Sequence, residues 1–172
     1  RQVYEYGNGE WEKDAAGAWS CTTQVYYLSE ACNHCDSPAC FAACSQGAIV
    51  KDEDTGLVYI DEEKCVNCGA CAEACPYGIP KADAEKGVYV KCDGCKDRVA
   101  QGKKPICVEA CPLRALDFGD IEQLRSDFGD VAAIAPLPDS SATRPNIVIT
   151  PPAAACADVA GDGAVLNRCE IV

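Results

Sequence analysis

The 172 residues carry a formal net charge of −12, with 15 Lys and Arg against 27 Asp and Glu, a balance that repels nucleic acid. No apolar run approaches the roughly eighteen residues of a membrane span, and no charged start, apolar core and small-residue site marks a signal peptide. Apolar residues make up 48%, but seven leucines, three phenylalanines and no methionine give little bulk for a core, while fifteen cysteines offer another way to hold the chain together.

The chain starts at Arg1 directly into "RQVYEYGNGEWEKD", which reads as the interior of a domain, so further residues are expected ahead of it. Within residues 1–31, "VYEY" alternates, "GNGE" is a turn and "TTQVYYLS" is a β-branched and aromatic run, so short strands are expected. From 32 to 118 the chain repeats itself: "CFAACSQGAI", "CAEACPYGIP" and "CVEACPLRAL" each place Cys, three residues and Ala-Cys before a turn and an apolar pair. The CxxxC segments are alanine-rich and glycine-free inside, which predicts a turn or two of helix in each. Between the first two runs, "GAIVKDEDTGLVYIDEEKC" has two β-prone segments around an Asp/Gly turn and reads as a hairpin. After Pro112, "LRALDFG" offers a further strand, and "DIEQLRSDFGD" has an Asp start, Ile121, Leu124 and Phe128 at helical spacing, and a Gly stop. Residues 136–150 read as an extended strap containing the β-like "NIVIT", and residues 151–172 as a loose tail.

Twelve thiols between Cys32 and Cys111 fall in groups of four, the grouping of a four-thiolate metal site rather than of disulfides between distant segments. Cys65, Cys68, Cys71 and Cys75, closed by Pro76, have the spacing of bacterial four-iron, four-sulfur sites, in which three thiolates wrap one cube and the fourth serves its neighbour. Cys32, Cys35, Cys40 and Cys44 are the natural complement. The expected assignment is crossed: Cys32, Cys35, Cys40 and Cys75 hold cluster one, while Cys44, Cys65, Cys68 and Cys71 hold cluster two. Cys92, Cys95, Cys107 and Cys111 form a third run with an eleven-residue insertion. By the same rule Cys92, Cys95 and Cys107 form an incomplete third site, and Cys111 is a lone ligand of a fourth. The competing reading is structural zinc in an interaction module, but zinc ribbons use two cysteine pairs per ion and leave CxxCxxCxxxCP unexplained.

"ACNHC", "CPYGIPKA", "KCDGCKDRVAQGKKPICVEACPLRALDFG" and "VAAIAPLPDSSATRPNIVI" resemble the iron–sulfur subunits of anaerobic dimethyl sulfoxide reductases over roughly residues 1–150, with residues 91–119 the most specific part. The resemblance implies an α+β, ferredoxin-like poly-cluster fold of short helices and small antiparallel hairpins around [4Fe-4S] sites. It implies four clusters in the intact subunit, two of them complete within this chain, with the family's first cysteine run expected ahead of Arg1. The implied division is an outer-half remnant at 1–31, an inner two-cluster half at 32–90, the rest of the outer half at 91–120, a helix and strap at 121–150, and the tail at 151–172. The implied role is non-catalytic: electron transfer between a quinol-oxidising membrane anchor and a molybdopterin catalytic subunit that reduces sulfoxides or N-oxides. Such a protein is peripheral, held at the membrane through its partners. Equivalent subunits of nitrate, formate, tetrathionate and polysulfide enzymes are the alternative. Ser45 stands where the family usually has proline, and Cys68 occupies the position that is tryptophan in related nitrate reductase subunits with a three-iron cluster, so a four-iron cube is expected here.

Cys21, Cys156 and Cys169 lack such spacing and read as ordinary thiols. His34, the one histidine, sits between two expected ligands, where a packing or hydrogen-bonding role outweighs metal binding or proton transfer. The basic stretch at 91–104 reads either as a docking surface for an acidic partner or as a solvated loop. The carboxylates of "KDEDTG" and "DEEK" read as a hairpin turn and a solvated face.

Overall fold

The computed structural model describes residues 1–156 and 163–171; of Cys156 it describes the backbone alone, so the expectation for its thiol lies outside the described residues. Strands β1 (Gln2–Asn8) and β4 (Gln24–Glu30) pair antiparallel from Gln2 opposite Glu30 to Asn8 opposite Gln24. Their alternation buries Tyr6, Tyr26 and Leu28 on one face. Between them, β2 (Trp11–Lys13) and β3 (Trp19–Cys21) form a solvent-facing ribbon with Trp11 and Trp19 exposed.

The cysteine region follows as a structural repeat. α1 (Ala39–Ala43) leads into the hairpin of β5 (Ile49–Lys51) and β6 (Val58–Ile60), and α2 (Ala70–Ala74) into the hairpin of β7 (Lys81–Asp83) and β8 (Val88–Val90). The two turns share a device. Asp52 and Asp83 each accept from a glycine four residues on, Gly56 and Gly87, at 2.9 Å, while their carboxylates accept from N–H groups inside the turn. The "KDEDTG" carboxylate is therefore a turn former, as its pattern indicated.

Small aliphatics do not build this core alone. Cys40, Ile49, Val58 and Cys71 form its buried cluster, with Cys44, Ile60 and Tyr89 packed against it. Free thiols are small and apolar enough to pack in this way, so the residues expected to hold metal also supply the bulk that leucine and phenylalanine do not.

Beyond the repeat, α3 (Lys96–Val99) opens the insertion of the third cysteine run and α4 (Ile106–Glu109) begins at its last residue. α5 (Ile121–Phe128) begins where expected: the Asp120 side chain accepts from Gln123 N–H, and Gly129 ends the helix. Two expected strands do not form. Residues 113–119 are turn and irregular backbone, because the chain there folds back on Cys111, whose sulfur accepts from Ala115 N–H at 3.4 Å. "NIVIT" also stays outside any sheet, since its amides are taken one at a time: Asn146 N–H by Asn33 carbonyl and Ile149 N–H by Val131 carbonyl.

The strap carries a 3-10 turn at Ser140–Ala142 and holds the first cysteine loop. Asp36 and Ser37 N–H donate to the carbonyls of Arg144 and Thr143, and the Asn146 side-chain amide donates to His34 carbonyl at 2.9 Å. The described part of the tail is not loose. After α6 (Ala153–Cys156), β9 (Ala164–Val165) pairs with the free edge of β1, giving a sheet ordered β4-β1-β9. The Asn167 side chain then accepts from Glu5 N–H and donates to Val3 carbonyl, both at 2.9 Å. A two-residue strand has no periodicity to read, so no sequence pattern announces it.

Candidate metal centre

Helices α1 and α2 lie against each other. In α1, Cys40 stands in the first turn and Cys44 caps the C-terminus, about 6 Å further along the axis at 1.5 Å rise per residue. α2 repeats the arrangement with Cys71 and Cys75. The two cysteines of each helix line different cavities. Cys32, Cys35, Cys40 and Cys75 line one cavity, together with Val58, Tyr77 and Ile79. Cys44, Cys65, Cys68 and Cys71 line a second, together with Ile49, Ile60 and Tyr89. Each helix gives its inner cysteine to one cavity and its capping cysteine to the other.

The loops are shaped by a shared backbone. His34, Asn67 and Gly94 occupy the same place in "CNHC", "CVNC" and "CDGC", and all three are left-handed, with φ of 43°, 57° and 71°. Three residues after each run's last cysteine, Gly47, Gly78 and Arg114 have φ of 62°, 61° and 53°, and their N–H groups donate to the carbonyls of Cys44, Cys75 and Cys111 at 3.2, 3.0 and 3.2 Å. The third run thus shares these two turns with the others, while Cys95 is itself left-handed where Cys35 and Cys68 are not, and none of Cys92, Cys95, Cys107 and Cys111 lines either cavity. Cys92 is exposed, and the other three are half-buried.

The environment sorts the thiols. Burial pushes Cys40 up to about 11, an effect the Lys91 charge only partly offsets, and burial also raises Cys35 and Cys71. For Cys44 burial acts upward, but the N–H groups of Ile49, Ala48, Gln46 and Gly47 outweigh it and the thiol is pushed down. Cys111 is also lowered, first by Ala115 N–H and then, against a small desolvation, by its neighbours. Tyr89 N–H approaches Cys65 sulfur at 3.4 Å. These N–H donors suit anionic sulfur.

The donor set fits a four-iron, four-sulfur core. Four ionised thiols around an apolar hollow would concentrate charge without compensation, whereas coordination deprotonates thiols outright and supplies the opposing charge. Among the described residues, no three Cys, His, Asp or Glu side chains come close enough to share a single ion.

His34 is a hydrogen-bonding residue. Its Nδ1 accepts from Val58 N–H at 2.9 Å, and burial first, then the Lys91 charge, depress it to about 4, so the ring is neutral near pH 7. Three side chains of the basic stretch have partners within the chain. Lys96 lies 4.3 Å above the Tyr59 ring, Arg98 pairs with Glu109 at 2.5 Å, and Lys104 pairs with Asp117.

Two residues of the first cavity escaped sequence reasoning. Lys91 lines it and donates to Cys32 sulfur at 3.3 Å. Thr143, 2% exposed, also lines it and lies 3.2 Å from the Tyr77 hydroxyl. Thr143 comes from the strap, more than sixty residues from any cysteine of this cavity, and no local pattern marks it.

A family model described as a 4Fe-4S dicluster domain matches residues 23–121. The chain is 56% identical over 151 residues to the B subunit of anaerobic dimethyl sulfoxide reductase from Escherichia coli K12, covering 88% of this chain and 73% of that protein. It is 51% identical over 151 residues, with the same coverage, to the protein of that name from Haemophilus influenzae. It is 37% identical over 146 residues to selenate reductase subunit beta of Thauera selenatis, where the match spans 83% of this chain and 45% of the relative.

Proposed function

Since the chain belongs to the 4Fe-4S dicluster domain family and is akin to the B subunits of anaerobic dimethyl sulfoxide reductases, we propose that it passes single electrons within an oxidoreductase complex through two [4Fe-4S] clusters in a ferredoxin-like arrangement. It is an electron-transfer subunit, not the catalyst. The observation that carries this reading is the exchange of Cys44 and Cys75 between α1 and α2, which puts four thiols around each of two cavities.

Cys32, Cys35, Cys40 and Cys75 hold one cluster, and Cys44, Cys65, Cys68 and Cys71 the other; Cys92, Cys95, Cys107 and Cys111 belong to further sites whose remaining ligands lie outside these runs. Bound iron and sulfide supply reversible one-electron chemistry. The chain's own work is to fix the sulfurs, exclude water with Ile49, Ile60, Val58 and Tyr77, and aim N–H donors at the thiolates. The partners are a molybdopterin catalytic subunit reducing sulfoxides or N-oxides and a quinol-oxidising membrane anchor. Among the described residues no helix is long and apolar enough to cross a membrane, and attachment comes through the anchor.

Anaerobic purification tests the reading. The two inner sites contribute about eight iron atoms and as many acid-labile sulfides per chain, with a brown absorbance that bleaches with dithionite. A colourless protein containing zinc and no sulfide would overturn it. Turnover of the assembled complex with sulfoxide, compared with nitrate and selenate, tests the acceptor.

A further inference from the structure

The two cysteine cavities differ in charge. The second is lined by cysteines, glutamine, tyrosine and apolar residues, with no Lys, Arg, His, Asp or Glu among them. The first has a single charged residue in its lining, Lys91. Its Nζ lies 3.3 Å from Cys32 sulfur and is fixed by the carbonyl of Cys92 at 3.1 Å and by that of Val58. The nearby acidic side chain Asp93 has its carboxylate turned to Cys95 N–H at 2.8 Å.

We propose that Lys91 is a potential-setting residue: its ammonium, held against Cys32 sulfur, makes the Cys32/Cys35/Cys40/Cys75 site the higher-potential and preferentially reduced one of the two inner centres. Reduction adds one electron and no atom, so the reduced centre carries one more negative charge. A cation beside a ligating sulfur stabilises that state more than the oxidised one. The site around Cys65 receives backbone N–H donors in place of a charge. A hydrogen bond from a charged donor is about twice as strong as a neutral one, and an apolar, low-dielectric lining strengthens the interaction of its charge with the centre. Two backbone carbonyls hold the ammonium, so its position does not depend on the cluster. Lys91 also reaches the carbonyl of Cys92, so the cation sits at the junction between the first cavity and the third cysteine run.

The inference rests on the cluster assignment above, and the two fail differently. If the two-cluster reading is wrong, the unaltered complex lacks two inner [4Fe-4S] signals; if only the inference is wrong, the signals are present and their potentials do not respond to Lys91. The test is an EPR-monitored redox titration of the assembled complex carrying Lys91→Met or Lys91→Arg. Lys91→Met lowers the potential of one centre alone, the higher of the inner pair, by at least a tenfold change in its reduced-to-oxidised ratio at fixed poise, equivalent to about 59 mV for one electron. Lys91→Arg, which keeps the charge, leaves it near the unaltered value. Unmoved potentials in Lys91→Met, equal shifts in both variants, or a shift in the lower-potential centre overturn the proposal. Should Lys91→Met lose iron, Lys91→Gln asks the same question with a neutral donor. Loss of the same cluster in both neutral variants but not in Lys91→Arg would mean that the ammonium holds the loop rather than the potential, which also overturns it.

Discussion

Val58 N–H donates to Nδ1 of His34 at 2.9 Å, and this bond ties the first cysteine loop to the β5–β6 hairpin. Val58 is 1% exposed, so its amide has no ready access to water if the imidazole is removed. His34→Leu therefore strands a buried donor and costs about 1–3 kcal/mol. It also places a residue poorly suited to positive φ at 43°. Asn tolerates left-handed backbone and carries an acceptor, so His34→Asn loses less. Chemical denaturation of the cluster-loaded protein distinguishes the two; equal losses would show that the bond contributes nothing.

Glu30 gives the fold a pH dependence. It is 1% exposed, and neither carboxylate oxygen reaches hydrogen-bonding geometry, although Tyr4 and Asn33 approach. Burial pushes its pKa up to about 7, against smaller lowering effects from Tyr4, Arg1 and Asn33. A folded-state pKa raised above the unfolded value gives stability that is complete in acid and lost as pH rises through about 7. The unaltered protein should therefore lose melting temperature between about pH 5 and pH 8 relative to Glu30→Gln, which stays uncharged. Parallel curves for the two proteins across that range would refute the burial of an ionisable Glu30.

Gly94 docks the third cysteine run on the hairpin. A Cβ at this position would lie 2.6 Å from Leu57 Cδ2, and the backbone φ is +71°. Gly94→Ala suffers both the left-handed backbone and the clash, about 1–3 kcal/mol from the backbone alone. Leu57→Ala in the same chain relieves only the clash. The double variant should be more stable than the sum of the single losses, and strict additivity in a double-mutant cycle would show that the two residues do not meet.

The exchange of ligands predicts which cluster each substitution damages. Cys75→Ser should perturb the site of Cys32, Cys35 and Cys40, and Cys44→Ser the site of Cys65, Cys68 and Cys71, because serine is a poor ligand for soft metal. EPR of the reduced complex resolves the two; damage to the site within the substituted residue's own run would reverse the assignment.

Cluster removal should loosen the whole cysteine region, since Cys40 and Cys71 belong to the same buried cluster as Ile49 and Val58. Circular dichroism during anaerobic oxidative stripping of iron should show structure lost together with the cluster absorbance. A fold that outlasts complete iron loss would mean that apolar packing alone suffices.

Local chemistry was legible wherever one segment decides it. The CxxxC alanines mark short helices, Asp52 and Gly56 a hairpin turn, and Asp120 and Gly129 the two ends of α5. These outcomes depend on backbone geometry within a few residues, and residue type governs that geometry directly. What only the tertiary structure decided depends on partners far apart in the chain. "NIVIT" has strand propensity but no neighbouring strand, and its amides go to Asn33 and Val131. Val165 completes a sheet edge begun at Tyr6. Thr143 and Lys91 reach a cavity whose cysteines are marked in sequence while its polar lining is not. Cysteine spacing reports a constraint written into one loop, whereas the charge beside a sulfur is set by whichever distant side chain the packed fold brings there, and no periodicity records that meeting.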